Sequence, residues 1–93
     1  MIIRITFLFF VLVVGSLDAM AQTLSTKNKK AIELYNLADN YRVRGQHAEA
    51  IAQLTEALNR DKNFFEAYFR LGLIYRAQRR NEEAVTNFEA GLA

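Results

Sequence analysis

The residues of this chain best suited to recognition form a stripe that occurs twice, each time with an aromatic residue and an arginine, and with an aspartate between them in the first copy and a leucine in the second. Its members are Tyr35, Asp39 and Arg42, then Phe69, Leu73 and Arg76, with Arg70 alongside. The spacing i, i+4 and i+7 puts each triplet on one face of a helix. Aromatic and arginine side chains are enriched at binding hot spots, so the stripe could hold a partner without covalent chemistry. The alternative is that its apolar members only fill gaps between helices, because exposed apolar residues alone prove little.

The titratable residues do not indicate a catalytic or metal site. His47 is the only histidine and the chain has no cysteine, so a base or metal ligand at His47 would lack the partners it needs. We expect His47 to be solvated at the start of a helix. Glu82 and Glu83 could bind a cation, but their position at the positive N-terminal end of a predicted helix explains these two acidic residues better. Gly45 and Gly72 lie in no phosphate-loop pattern. We therefore expect no enzyme activity, no cofactor and no metal.

The charge distribution argues against nucleic-acid binding. The chain has 12 basic and 10 acidic residues, a net charge of +2, whereas a nucleic-acid-binding protein usually concentrates its basic residues on one face. The pair Arg79–Arg80 is too short for such a patch and is predicted to be solvated. We expect a protein or peptide partner instead.

Two copies of one 34-residue unit carry the stripe, the first at 31–64 and the second, incomplete, at 65–93. Shifting the chain by 34 positions superimposes Leu37 on Leu71, Tyr41 on Tyr75, Glu49 on Glu83, Ala50 on Ala84 and Leu58 on Leu92. A fixed period in this range is typical of stacked repeats. Helical spacing within each copy predicts an all-α fold of two antiparallel helix hairpins.

Polar residues and glycine predict where the four helices begin and end. The expected helices cover about 26–44, 47–60 and 64–78, with a fourth beginning at about 81. Ser25 or Thr26 should cap the first helix, which Gly45 should end. Asn63 with Glu66 should form a capping box at the third. Asn81 should cap the fourth helix.

Apolar residues at helical spacing predict which faces are buried. They are Leu34, Leu37, Ala38 and Tyr41 on the first helix, and Ala50, Leu54 and Ala57 on the second. Ile51 and Leu58 should be covered by the third helix. The register gives Val85 and Leu92 the same role on the fourth helix, with Phe88 nearby. We expect further repeats or self-association to cover this strip, because an exposed apolar strip marks an interface.

The repeat resembles the tetratricopeptide repeat, a family that reads W-x-x-L-G-x-x-Y and then A-x-x-x-F. The second copy has Tyr68-x-x-Leu71-Gly72-x-x-Tyr75 followed by Ala84-x-x-x-Phe88, and the first has Leu34-x-x-Leu37-Ala38-x-x-Tyr41 followed by Ala50-x-x-x-Leu54. The departures include Ala38 for the glycine, Lys62 for a turn proline and Gly91 for a small residue that is usually alanine. The resemblance implies that the first helix of each repeat lines a concave groove, and it therefore places ligand contact on the stripe.

One group within this family grips the terminal carboxylate of its partner with lysine and asparagine on the first groove helix. The matching positions here are Tyr35 and Asp39, so that clamp is not supported, and Asp39 would repel a terminal carboxylate. The resemblance implies instead an extended segment or a helix in the groove. The two aromatic residues and Leu73 would hold it, and the three arginines would orient it.

Residues 1–21 have the three parts of a secretory signal peptide. Arg4 supplies the positive charge, an apolar run follows, and Ala19-Met20-Ala21 is a small-residue cleavage site. The apolar run is roughly half of the about 20 residues that a spanning helix needs. We therefore expect cleavage before Gln22, no membrane span afterwards, and an exported protein in the periplasm or cell envelope.

The layout of signal peptide, polar basic lead-in at 22–30 and repeats is similar to the N-terminal region of certain bacterial envelope proteins. Those proteins carry a downstream peptidoglycan-binding domain like that of outer-membrane protein A. The resemblance implies an interaction module within a larger envelope protein. The alternatives are a structural spacer whose groove binds nothing, and the non-catalytic arm of an envelope enzyme.

Overall fold

The computed structural model describes residues 24–93, which form four α-helices and no strand. The helices are α1 (Lys29–Val43), α2 (His47–Arg60), α3 (Phe65–Ala77) and α4 (Asn81–Leu92). Helix α1 packs against α2, α3 packs against α4, and α2 joins the two hairpins by packing against α3. The predicted all-α repeat fold is confirmed. The predicted signal peptide and its cleavage site lie outside the described residues.

The hydrophobic core lies where α2 meets α1 and α3. Its buried members are Ala31, Leu34, Ala38, Ala50, Leu54, Ala57, Phe64, Ala67, Leu71 and Ile74. The alanines on α2 let neighbouring backbones approach closely, and Phe64, fully buried, fills the space at the start of α3. Ile51 and Leu58 are partly buried against this core, as the repeat register predicts.

Leu37 departs from the predicted buried face of α1. It is 40% exposed, whereas Leu71, the equivalent residue of the second copy, is 5% exposed. Leu71 lies on α3, which has α2 packed against it from the preceding repeat. Leu37 lies on α1, and no helix among residues 24–93 comes before α1 to cover it in the same way. The burial of this position therefore depends on a neighbouring helix as well as on helical spacing.

The segment before α1 does not cap that helix as predicted. The cap is Asn28, whose Oδ1 accepts a hydrogen bond from the backbone N–H of Ala31 at 2.9 Å. The predicted cap residues make contacts that are distant along the chain instead: Ser25 reaches the second repeat, and Thr26 reaches the end of α2. Thr26 is buried, and its hydroxyl donates to Asp61 Oδ2 at 2.5 Å. The prediction was wrong because a local pattern does not show these tertiary contacts.

The predicted capping box of α3 is also wrong. The carboxylate of Glu66 accepts from the backbone N–H of Ser25 at 3.2 Å instead of bonding to Asn63. The hydroxyl of Ser25 in turn accepts from the backbone N–H of Phe65, the first residue of α3, at 3.0 Å. A residue about 40 positions away thus satisfies a backbone donor that a local cap would otherwise satisfy.

The start of α4 differs from the prediction as well. Asn81 is the first residue of the helix, and Arg80 before it makes no capping bond through its side chain. Glu82 and Glu83 occupy the first turn, as expected for the positive end of a helix. Arg80 donates from Nε to Glu83 at 2.6 Å and lies 4.7 Å above the ring of Tyr75. Arg80 is exposed, as expected, and also makes these two contacts at the surface.

Two hairpin turns with the same hydrogen bonds contain different residues. In the first turn the N–H of Gly45 donates to the carbonyl of Arg42 at 3.0 Å, and in the second Arg79 donates to Arg76 at 2.9 Å. Both turns need a positive φ, which is 75° at Gly45 and 61° at Arg79. Glycine adopts this conformation at little cost, whereas a side chain such as that of Arg79 is strained there.

The outer strip of α4 is only partly bare. Val85 is 53% and Leu92 is 78% exposed, as the register predicts. Phe88, the third predicted member, is half-buried because its ring lies over Gly72 and faces Phe69 at 6.3 Å between ring centres. What covers Val85 and Leu92 stays a prediction.

Candidate binding site

The seven predicted site residues lie on α1 and α3, and we call the surface that they occupy the α1–α3 face. The structure brings four of them together, and these form what we call the polar cluster: Tyr35, Asp39, Arg42 and Arg70. The side chains of the other three, Phe69, Leu73 and Arg76, make no polar contact with this cluster.

Within the polar cluster, one carboxylate and one phenol position two guanidinium groups. Arg42 donates from Nε to Asp39 Oδ1 at 3.0 Å along the same helix. Arg70 comes from α3, and its Nε lies 3.5 Å from the same oxygen of Asp39. Arg70 also donates from Nε to the hydroxyl of Tyr35 at 3.0 Å. The cluster therefore connects the first helices of the two repeats.

The ring of Tyr35 is held from two sides. The buried ring of Phe64 lies 5.0 Å away and is tilted by 43°, and the guanidinium of Arg70 stands 5.5 Å above the Tyr35 ring. The body of the ring is partly buried against the core, while the hydroxyl meets Arg70. Tyr35 thus fills a gap between helices, as our alternative for the stripe supposes, and it also positions an arginine.

The ion pairs of the polar cluster contribute little to the stability of the fold. The side chains of Arg42, Arg70 and Asp39 are 29%, 31% and 37% exposed. Pairs that reach water to this extent are worth about 0 to 1 kcal/mol each, and a cation–π contact at such a site is worth about 0.5 to 1 kcal/mol. The main effect of these contacts is to restrict where the two guanidiniums point.

Phe69 serves mainly to join α3 to α4. Its ring is 6.3 Å from that of Phe88, and a Cβ added to Gly91 would lie 3.2 Å from it. About a third of Phe69 remains exposed, at 37%. Leu73 is half-buried and Arg76 is exposed, so these two are the members of the second triplet that are most available to a partner.

His47 differs from the solvated residue that we expected. It is half-buried at the start of α2, and its Nδ1 is buried with no hydrogen-bond partner among residues 24–93. Over the same residues, the structure contains no group of three or more histidine, cysteine, aspartate or glutamate side chains that could hold a metal ion. None of the four helices has the length and apolar character needed to cross a membrane.

Comparison with known proteins supports the resemblance of the repeat to a known family. Residues 38–79 match the family model of the TPR repeat, that is, the tetratricopeptide repeat. The matched range begins within α1, includes all of α2 and α3, and ends in the turn before α4. No curated protein matches the chain. TPR repeats are typically non-catalytic scaffolds that bind other proteins.

Proposed function

We propose that this TPR-repeat protein is a non-catalytic interaction module that binds an extended segment or a helix of a protein partner along the α1–α3 face. The observation that carries the proposal is the polar cluster. Side chains from two repeats meet there at the surface, and each is restrained by its neighbours. Restrained side chains lose less conformational entropy on binding, which favours recognition.

Apolar and charged residues of the face have different roles in this proposal. The exposed parts of Tyr35, Phe69 and Leu73 provide apolar area, which contributes about 25 cal/mol per Å² removed from water. Arg42, Arg70 and Arg76 set the orientation of the bound segment, since arginine side chains act as polar anchors at protein interfaces.

A pair of double variants tests the proposal. Leu73→Ser with Arg76→Ser alters the face without touching the polar cluster, and we expect it to weaken capture of a partner from envelope extract about tenfold or more. The matched control is Glu56→Ala with Asn59→Ala, which alters contacts made only within α2. Equal loss in both double variants contradicts the proposal. Failure of the unaltered protein to capture any partner supports the spacer alternative.

We also propose that the protein is exported and works in the cell envelope, as part of a larger envelope protein. The support is the sequence pattern of residues 1–21, with its small-residue site at Ala19-Met20-Ala21. N-terminal sequencing of the exported protein should begin at Gln22. A mature product that retains Met1 and stays in the membrane contradicts the proposal.

A further inference from the structure

The polar cluster has more positive charge than its contacts require. Two arginines surround one carboxylate, and both approach Oδ1 of Asp39 through Nε. Their terminal nitrogens make no hydrogen bond to any residue between 24 and 93. A guanidinium has five N–H donors, so most of the donors of Arg42 and Arg70 remain available at a surface that is already positioned.

From this geometry we infer that the α1–α3 face recognises an acidic segment of a protein partner, one of whose side-chain carboxylates binds between Arg42 and Arg70. The inference rests on the proposed function and specifies its ligand. A carboxylate fits because a guanidinium edge presents two parallel N–H groups to its two oxygens. The phenol of Tyr35 accepts a bond from Arg70 and can still donate its own O–H to the same ligand.

The charge of Asp39 does not oppose an acidic ligand as the sequence suggested. In the structure this carboxylate is offset by two guanidiniums, and the polar cluster has a net charge of +1. Arg76, exposed on the same stripe, adds a further positive charge to the α1–α3 face. A cationic segment would be disfavoured by this net positive charge, and an uncharged one would offer the arginines only neutral acceptors, whose hydrogen bonds are weaker than those to a carboxylate.

The test uses two peptides of seven residues, capped at both ends so that they have no terminal charge. One alternates leucine with glutamate, and the other alternates leucine with glutamine. The full-length chain, labelled with ¹⁵N, is titrated with each peptide, and the arginine Nε–H signals are followed together with the backbone amides. We expect the glutamate peptide to shift the Nε–H signals of Arg42 and Arg70 and to bind about tenfold more tightly than the glutamine peptide.

Two double variants that remove the same charge distinguish a specific effect of the polar cluster on peptide binding from an effect of net charge. Arg42→Gln with Arg70→Gln should weaken binding of the glutamate peptide about tenfold, since two exposed charge pairs are lost. The control, Arg60→Gln with Arg80→Gln, removes the same charge from arginines that pair with glutamates elsewhere. It should leave binding nearly unchanged. If the first double variant loses helicity, Arg42→Gln alone replaces it, because the one ion pair that Arg42 makes with residues 24–93 is within α1.

Each result has a defined meaning. Equal binding of the two peptides along α1 and α3 overturns the acidic assignment and leaves the proposed function standing. Equal weakening by both double variants also overturns it, because the peptide would then respond only to net charge. If neither peptide perturbs α1 or α3, while a partner is still captured through Leu73 and Arg76, this inference alone fails. If capture also fails, the proposed function fails with it.

Discussion

The two helix hairpins place the same apolar positions in different surroundings. On α2, Ile51 and Leu58 pack against the core, whereas on α4 the equivalent Val85 and Leu92 are 53% and 78% exposed. The difference is the next helix, because α3 covers α2 and none of the described helices covers α4. The comparison shows that burial in stacked repeats is decided by the neighbouring unit as much as by the residue.

The interior of the two hairpins is filled in different ways. The first copy has Ala38 and Leu54, both buried. The second has Gly72 and Phe88 at these positions, and a Cβ added to Gly72 would lie 2.6 Å from Cδ1 of Phe88. The larger ring on α4 thus requires the smaller residue on α3, since packed interiors leave no spare volume.

Truncation of the equivalent residues on α2 and α4 should have the largest effect. Leu54 is 1% exposed, and we expect Leu54→Ala to lower the free energy of unfolding by about 2 to 5 kcal/mol. Phe88 is only half-buried, so Phe88→Ala should cost less, about 1 to 2 kcal/mol by its smaller buried area. Urea denaturation measures both. A greater loss at Phe88 would show that α4, not α2, is the centre of the fold.

Adding a methyl group at Gly72 tests whether the ring of Phe88 requires the small residue opposite it. We expect Gly72→Ala to cost about 1 to 3 kcal/mol, because the ring of Phe88 must move. Phe88→Leu, which copies the first repeat, should recover most of that loss in the double variant. If the effects of the two substitutions on the free energy of unfolding are additive in a double-mutant cycle, Gly72 and Phe88 do not depend on each other, because residues in contact are expected to couple. Ala38→Gly serves as the control in the first copy.

Opposite substitutions in the two hairpin turns should have opposite effects on stability, because both turns have a positive φ. Gly45→Ala should destabilise the protein by about 1 to 2 kcal/mol, because φ is positive at this position. Apart from its two chain neighbours, no residue between 24 and 93 has an atom within 4 Å of the added Cβ, so the expected effect comes from the backbone conformation. Arg79→Gly should stabilise the protein by up to about 1 kcal/mol for the same reason. Thermal unfolding measures both, and a loss of stability in Arg79→Gly would refute this explanation.

The contact between Thr26, in the segment before α1, and Asp61, at the C-terminal end of α2, should depend on pH. The hydroxyl of Thr26 and then the backbone N–H of Asn63 lower the pKa of Asp61 from its ordinary value of 3.8. A pKa that is lower in the folded state stabilises the fold above the unfolded value, and this contribution is lost as the pH falls through the folded value. Thr26→Val should therefore be less stable than wild type at neutral pH.

The stability difference between wild type and Thr26→Val should narrow as the pH falls below about 4. Urea denaturation of both proteins over this range checks it. Arg80→Gln is a matched variant in the second repeat, because Arg80 lowers the pKa of Glu83 through a side-chain hydrogen bond. A difference that widens with falling pH would contradict the assignment to Asp61.

Much of this fold could be predicted because its signals are local and repeated. The 34-residue period and helical spacing gave the four helices, and the predicted bounds of α2, 47–60, agree with the structure. The buried residues of α2, Ala50, Leu54 and Ala57, were also predicted. Leu37 was not, because its exposure depends on which helix lies beside it.

Several details that sequence could not predict involve residues distant along the chain. Ser25 looks like a local cap, yet its hydroxyl bonds the start of α3. The stripe correctly grouped Asp39 with Arg42, which are three residues apart on one helix. Sequence placed Arg70 only alongside this stripe, and its bond to Tyr35 depends on how α1 and α3 lie together.

The central claim is that a partner binds the α1–α3 face and not the outer strip of α4, which exposes Val85 and Leu92. Site-specific photo-crosslinking tests it most directly. A photoreactive phenylalanine derivative replaces either Leu73, on the face, or Val85, on the strip, and the captured partner is irradiated with each protein. Our account predicts a crosslink from position 73 and none from position 85. A crosslink from position 85 alone would contradict it.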